Sequence, residues 1–440
     1  MVSLSLLLLS LGWIASSAAV FEPKVRLGRC TLVGDDIKGL KQEFFGGIPY
    51  AEPPVGKLRL KPPVLKTRLE AQSFDARFFG PACLQDGLPL DSVSENCLTI
   101  NIFRPAGLAP EAGLPVLFWV YGGGFDSGAS SIYNGSGIVA QSVARGTPVI
   151  YVNFNYRLGP LGFPQGQEGK NIDLVSRGKF QSIPSANDKK ALNLAMKDQL
   201  TALQWVQENI GLFGGDKNKV TVFGQSAGAI MTSILLLNSP IAQYARAAIL
   251  QSGSPSTALT FNAARRETEW QKFVTAVPSC TITAKSGRTF DCLQKANSSD
   301  ILKGVLSARS NAGELFPYDP TLDGPDGLFP ELPSQFYARG KFARIPTIAG
   351  TTLDEGTIFT PRTIGTESQI RDYIIANYSP PAVTVQTLAK TADELLRLYP
   401  NDPAQGSPFN TGSETFGLSP VYKQTAALRE ASPLSSFSLF

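Results

Sequence analysis

The segment richest in chemistry is Gly224-Gln225-Ser226-Ala227-Gly228. It follows a β-type run at 220–223 and opens an apolar helical stretch at 227–237. A serine between two glycines at such a turn is the arrangement of a nucleophile elbow. The turn is tight enough to strain the serine backbone, and Gly224 and Gly228 bring no Cβ where strand and helix close. The Ser226 hydroxyl then stands at a helix N-terminus, which favours developing negative charge. A second segment, Tyr121-Gly122-Gly123-Gly124-Phe125, directly follows the run V-L-F-W-V at 116–120. Three glycines at a strand end let backbone approach a ligand closely. In acyl transfer their N–H groups, with that of Ala227, would face the oxygen that becomes negative. A plain Gly/Ser turn and a flexible loop are the alternatives. The pairing of the two motifs about a hundred residues apart argues against both.

These residues need a frame. Runs at 116–120 and 148–153 read as strands buried on both faces, those at 220–223, 247–250 and 345–349 as further short strands, and 191–209 and 227–237 as helices. Strands alternating with helices predict an α/β domain: a mostly parallel central sheet with helices on both faces. The Pro/Gly/Ser-rich region 375–420 reads as surface excursions. Leu84, Leu88 and Leu90 would suit a short apolar cover over the site, or belong to the core.

Of 440 residues, 43% are hydrophobic and 17% charged, a globular composition with ample core. The net charge of +4 comes without a dense basic run, which excludes a nucleic-acid binder and implies no acidic partner. A Leu/Ser run from Leu4 to Leu11, followed by Ser16-Ser17-Ala18-Ala19, predicts a cleaved secretory signal at 1–19, too short for a membrane anchor. Sequons at Asn134, Asn297 and Asn377 fit secretion, the last followed closely by Pro380. In an oxidising compartment, the short separations suggest disulfides Cys83–Cys97 and Cys280–Cys292, leaving Cys30 over. No Cys/His cluster suggests a metal, and no cofactor motif occurs.

Many collinear segments resemble type-B carboxylesterases, the family that includes cholinesterases and fungal lipases. They are F-F-G-G-I-P-Y-A-E-P-P-V-G-K-L-R at 44–59, S-E-N-C-L-T-I-N-I at 94–102, Y-G-G-G-F at 121–125, F-N-Y-R-L-G at 154–159, D-Q-L-T-A-L-Q-W-V at 198–206, G-Q-S-A-G-A at 224–229 and D-E-G at 354–356. The resemblance covers about residues 20–425. It implies an α/β-hydrolase fold, Ser226 as nucleophile, and oxyanion donors at Gly123, Gly124 and Ala227. It also implies Glu355 as the acid of a Ser–Glu–His triad, with Asp354 as the neighbouring alternative, and the same two disulfides. The substrate would be a small-molecule or lipid ester. The family usually has Glu before the nucleophile; here it is Gln225. Residues 84–96 hold no aromatic, so a cation–π site for quaternary ammonium is not expected.

The 440 residues contain no histidine. A serine hydroxyl is a poor nucleophile until a base takes its proton. The family's histidine lies downstream of the acid, beyond about residue 425, where residues 429–440 no longer follow the family pattern. The expectation is an incomplete catalytic domain at 20–428 with its C-terminal part missing, and an aberrant tail at 429–440. On this reading the chain is a secreted ester hydrolase crippled as written. An inactive truncated paralogue, or a binding protein on the same fold, is the alternative.

Overall fold

The computed structural model describes residues 22–166, 191–257, 261–310, 316–377 and 384–430. The expected signal at 1–19 and residues 431–440 of the expected tail lie outside the described residues. The centre is an eight-stranded sheet. From one edge its strands run Thr347–Gly350, Ala247–Gln251, Gly215–Gln225, Leu114–Val120, Ile150–Phe154, Thr99–Pro105, Gln42–Pro49 and Asp35–Ile37. The first five pair in parallel. The last three junctions are antiparallel.

The central parallel strands form where the sequence offers continuous apolar runs, as strands covered on both faces require, whereas the edge strand Thr347–Gly350 is exposed along its length. Every residue of Ile150–Phe154 is buried, and Phe118 stacks on Phe154 at 4.9 Å. The antiparallel half carries weaker local signals. Strand Gln42–Pro49 contains Gly46 and Gly47, and its register shifts between Phe45 and Ile48. Gly47, at φ +65°, donates its N–H to Asn101 Oδ1 at 2.9 Å, so a side-chain amide replaces a ladder bond there.

Helices cover both faces of the sheet. Leu194–Asn209 ends in a short turn at Ile210–Phe213 and a left-handed Gly214. Strand Gly215–Gln225 then starts several residues earlier than the apolar run suggests, through a register shift between Gly215 and Val220. Helix Ala227–Asn238 is buried along nearly its whole length and packs on the strands Gly215–Gln225 and Ala247–Gln251. Its entry is a close fit: a Cβ on Gly228 would lie 2.1 Å from the Val120 carbonyl oxygen, and one on Gly224 2.8 Å from the Gly228 carbonyl carbon.

Region 375–420 corrects the expectation of surface excursions. It contains helix Val385–Leu398, whose Leu388 and Ala392 are buried. With Glu367–Asn377 and Pro420–Glu430 it builds a second apolar cluster around Ile370, Ile374 and Val421, separate from the main core. The apolar spacing of that helix is hidden in sequence by the Pro/Gly-rich stretch after it. Residues 429 and 430 of the expected tail complete helix Pro420–Glu430. No helix among the described residues is long and apolar enough to cross a membrane.

Both expected disulfides are present, with Cα–Cα separations of 5.0 Å for Cys83–Cys97 and 5.7 Å for Cys280–Cys292. Cys30 is a buried free thiol. Asn134 and Asn297 are exposed. Asn377 ends a helix, and the rest of its sequon lies outside the described residues.

Three stability predictions come from this geometry. Gly228→Ala forces strand and helix apart and should cost about 1–3 kcal/mol in urea unfolding. Gly137→Ala, on the exposed face of helix Ser136–Ala144 with open space around it, should be neutral or stabilise by up to about 1 kcal/mol. Replacing Cys83 and Cys97 together by alanine opens a loop with a sequence separation of 14. It should cost about 3 kcal/mol by the same measurement.

Candidate active site

Ser226 sits between the end of strand Gly215–Gln225 and the start of helix Ala227–Asn238 with φ 51° and ψ −124°, a conformation unfavourable to any residue with a Cβ. The strain is held from both sides. Ser226 N–H donates to the Gln251 carbonyl at 2.9 Å, and the Ser226 carbonyl accepts from Ile230 N–H at 2.9 Å. Ser226 occupies the N-cap position, yet its side chain makes no capping bond. Ser226 lines a cavity of about 1080 Å³.

The glycine loop forms the adjacent wall. Gly123 and Gly124 have φ +121° and +61°, open to glycine and costly for other residues. A Cβ on Gly122 would lie 2.9 Å from the Ser226 Cβ, which measures how closely the loop backbone approaches the serine. Ser127 Oγ and Ser127 N–H both donate to the Gly123 carbonyl, at 2.8 and 3.1 Å, and fix that peptide within the turn. The N–H groups of Gly123, Gly124 and Ala227 meet no acceptor among the described residues, and all three residues line the cavity.

Support for the loop comes from three directions. Gln85, inside the Cys83–Cys97 loop, accepts from Gly128 N–H and donates to the Gly128 carbonyl, both at 2.8 Å. Tyr156 stacks on Tyr121 at 4.3 Å and donates its hydroxyl to the Tyr121 carbonyl at 2.7 Å. Burial pushes both phenols well above their ordinary range, so they stay neutral. Asp126 lies 3.4 Å from Arg309. Burial raises its carboxyl, and the guanidinium partly offsets the rise.

Glu355 and Asp354 follow strand Thr347–Gly350, and both line the cavity. Asp354 Oδ1 accepts from Ser407 Oγ at 3.0 Å and from Phe409 N–H at 2.9 Å, tying the turn to a distant loop. Glu355 Oε1 accepts from Thr352 N–H at 2.8 Å. Its Oε2 meets no donor among the described residues. Gln225 also lines the cavity. Leu84, Leu88 and Leu90 do not: Leu84 is buried in the core, and Leu90 is 60% exposed.

Arg266, Asp319, Tyr373 and Arg429 are among the cavity residues that the sequence does not reveal. Arg266 and Asp319 form a buried ion pair. Arg429 donates to the Tyr373 hydroxyl and sits 5.0 Å over its ring. None lies in a motif, so no local signal marks them.

Comparison with known proteins agrees with this frame. The model of the carboxylesterase family matches residues 22–173 and 180–401. Lipase 2 of Diutina rugosa is 35% identical over 442 aligned residues, covering 90% of this chain and 73% of its own. Lipase 1 of Geotrichum candidum is 33% identical, covering 88% and 72%. Secreted lipase 1 of Botryotinia fuckeliana is 34% identical, covering 87% and 67%. Among solved structures, the EstA of Aspergillus niger superposes with TM-score 0.73 at 24% identity, over 93% of this chain and 72% of that one. A PNB esterase superposes with TM-score 0.64 at 30% identity, over 86% and 72%. With an α/β-hydrolase fold and a family match over most of its length, the chain belongs to the carboxylesterase family.

Proposed function

We propose that the protein is a secreted carboxylic ester hydrolase working through an acyl-enzyme on Ser226. One observation carries this reading: a strained, uncapped serine and three backbone N–H groups without acceptors border the same cavity. Ser226 Oγ attacks the ester carbonyl carbon, and its proton passes to a base. The carbonyl oxygen, now negative, accepts from Gly123, Gly124 and Ala227 N–H. Collapse of the tetrahedral state expels the alcohol, which takes up the proton. Water then hydrolyses the acyl-enzyme by the same route. Glu355 is the triad acid, because its Oε2 can accept from the base while Asp354 is committed to the 407–409 loop. The apolar walls at Phe125, Ile230 and Phe316 suit small-molecule or lipid esters, as do relatives named lipases. Secretion is supported by the two disulfides, the exposed sequons at Asn134 and Asn297, and relatives named secreted lipases.

These 440 residues supply no imidazole. A polypeptide of these 440 residues alone is therefore expected to bind esters and turn them over feebly. Oxyanion donors and binding alone leave about 10³–10⁴-fold over water. The test is hydrolysis of p-nitrophenyl esters with and without added imidazole. Imidazole should raise turnover in a saturable way, Ser226→Ala should abolish the rise, and Glu355→Gln should cut it about tenfold or more. Asp354→Ala should instead lower the free energy of urea unfolding by about 1–3 kcal/mol. If imidazole gives no more rate than it gives in free solution, the chain is an inactive paralogue or a binding protein.

A further inference from the structure

We infer that Arg309 neutralises the Asp126 carboxylate behind the oxyanion donors, so that the glycine loop can accept the negative charge of the tetrahedral state. The inference rests on the reading of the Gly123, Gly124 and Ala227 N–H groups as those donors, and adds a residue that acts on them from outside the cavity.

A carboxylate stands close to the donors. A Cβ built on Gly124 would lie 3.8 Å from Asp126 Oδ1. Asp126 does not line the cavity, so its charge acts on a bound ester through the wall and not by contact. The turn fixes its place: the N–H groups of Asp126 and Ser127 donate to the Gly123 carbonyl at 3.3 and 3.1 Å. Its side chain is only 11% exposed. Water screens such a charge weakly, and like charges a few ångströms apart then repel strongly. The oxygen of an attacked ester becomes negative at these donors. An ionised Asp126 without a counter-charge would oppose the charge that the N–H groups are arranged to accept.

Arg309 removes that opposition. It lies in the last turn of helix Ser298–Ser310, where a cation is favoured by the helix dipole. Its Nη1 is 3.4 Å from Asp126 Oδ1, the same oxygen that approaches Gly124. Burial raises the Asp126 carboxyl, and the guanidinium holds it down. The Tyr156 phenol also feels Asp126 but stays neutral, so it offers no compensating charge. The two members of the pair are unequally placed, since the Arg309 side chain is 52% exposed. Losing the guanidinium leaves a charge where water screens it poorly. Losing the carboxylate leaves one that water can solvate. A bridge that served packing alone would suffer alike from either loss.

The experiment follows butylboronic acid binding to the full chain by boron NMR. Ser226 Oγ adds to the trigonal boron, a B–O bond forms, and the hydroxyl proton leaves to solvent. The resulting tetrahedral boronate is an anion at the donors, whereas butyl methyl ketone serves as a neutral ligand of similar length. Arg309→Met should weaken the boronate adduct about tenfold or more and leave ketone binding within about twofold. Adding Asp126→Asn to that variant should restore the adduct to within about twofold of the unaltered chain. Asp126→Asn alone should bind the boronate at least as tightly as the unaltered chain. An adduct indifferent to Arg309→Met overturns the inference and leaves the ester-site reading intact. A loss that Asp126→Asn fails to restore, or one shared equally by the ketone, does the same. If Arg309→Met does not fold, weaker boronate binding by Asp126→Asn alone overturns it. An unaltered chain that forms no adduct, or an adduct that persists in Ser226→Ala, sinks the ester-site reading and the inference with it.

Discussion

Gly228 can approach the carbonyl oxygens of Val120 and Tyr121 only because it lacks a Cβ, and the arrangement of the site depends on that contact. It seats helix Ala227–Asn238 directly on the end of strand Leu114–Val120. The same strand end launches the glycine loop, so Ser226 and Gly123–Gly124 share one anchor. The strain at Ser226 is retained because the bonds to Gln251 and Ile230 over-determine it. A shift at the helix entry would move the hydroxyl and the oxyanion donors out of register at the same moment.

A second line of support runs from the other direction. The Cys83–Cys97 bond closes a loop whose Gln85 clamps Gly128, and Gly128 ends the turn that begins at Gly123. A Cβ on Gly128 would meet the Tyr121 ring at 2.7 Å, so this end of the loop also relies on close backbone packing. The disulfide therefore acts on the geometry of the glycine loop although neither cysteine lines the cavity. Charged groups play a smaller part here, since Tyr121 and Tyr156 stay neutral; among the described residues the carboxylates of Asp126 and Asp198 act on them.

What could be read in the sequence was local. The elbow, the glycine loop and the parallel strands each announce themselves within about ten residues, through glycine placement or a continuous apolar run. The Cys pairs were legible because their separations are short. The antiparallel half was not, since Gly46 and Gly47 interrupt the pattern of a strand that is completed by Asn101. The outer helices were obscured by the proline-rich segment among them. Arg266 and Asp319 meet across more than fifty residues, as Gln85 and Gly128 meet across more than forty. Contacts of that kind are decided by the fold and leave no trace in spacing.

The cavity has walls from two different cores. Ser226, Phe125 and Ile230 belong to the body around the sheet, while Tyr373 and Arg429 come from the smaller cluster of outer helices. An apolar guest would touch both and add to the contact area between them. The smaller cluster has few buried side chains of its own, so such a guest would serve as part of its missing interior. Occupancy of the site and cohesion of the outer helices are then one thermodynamic quantity: ligand raises the free energy of opening those helices by mass action. The protection of their amide protons from exchange becomes a gauge of what the cavity holds.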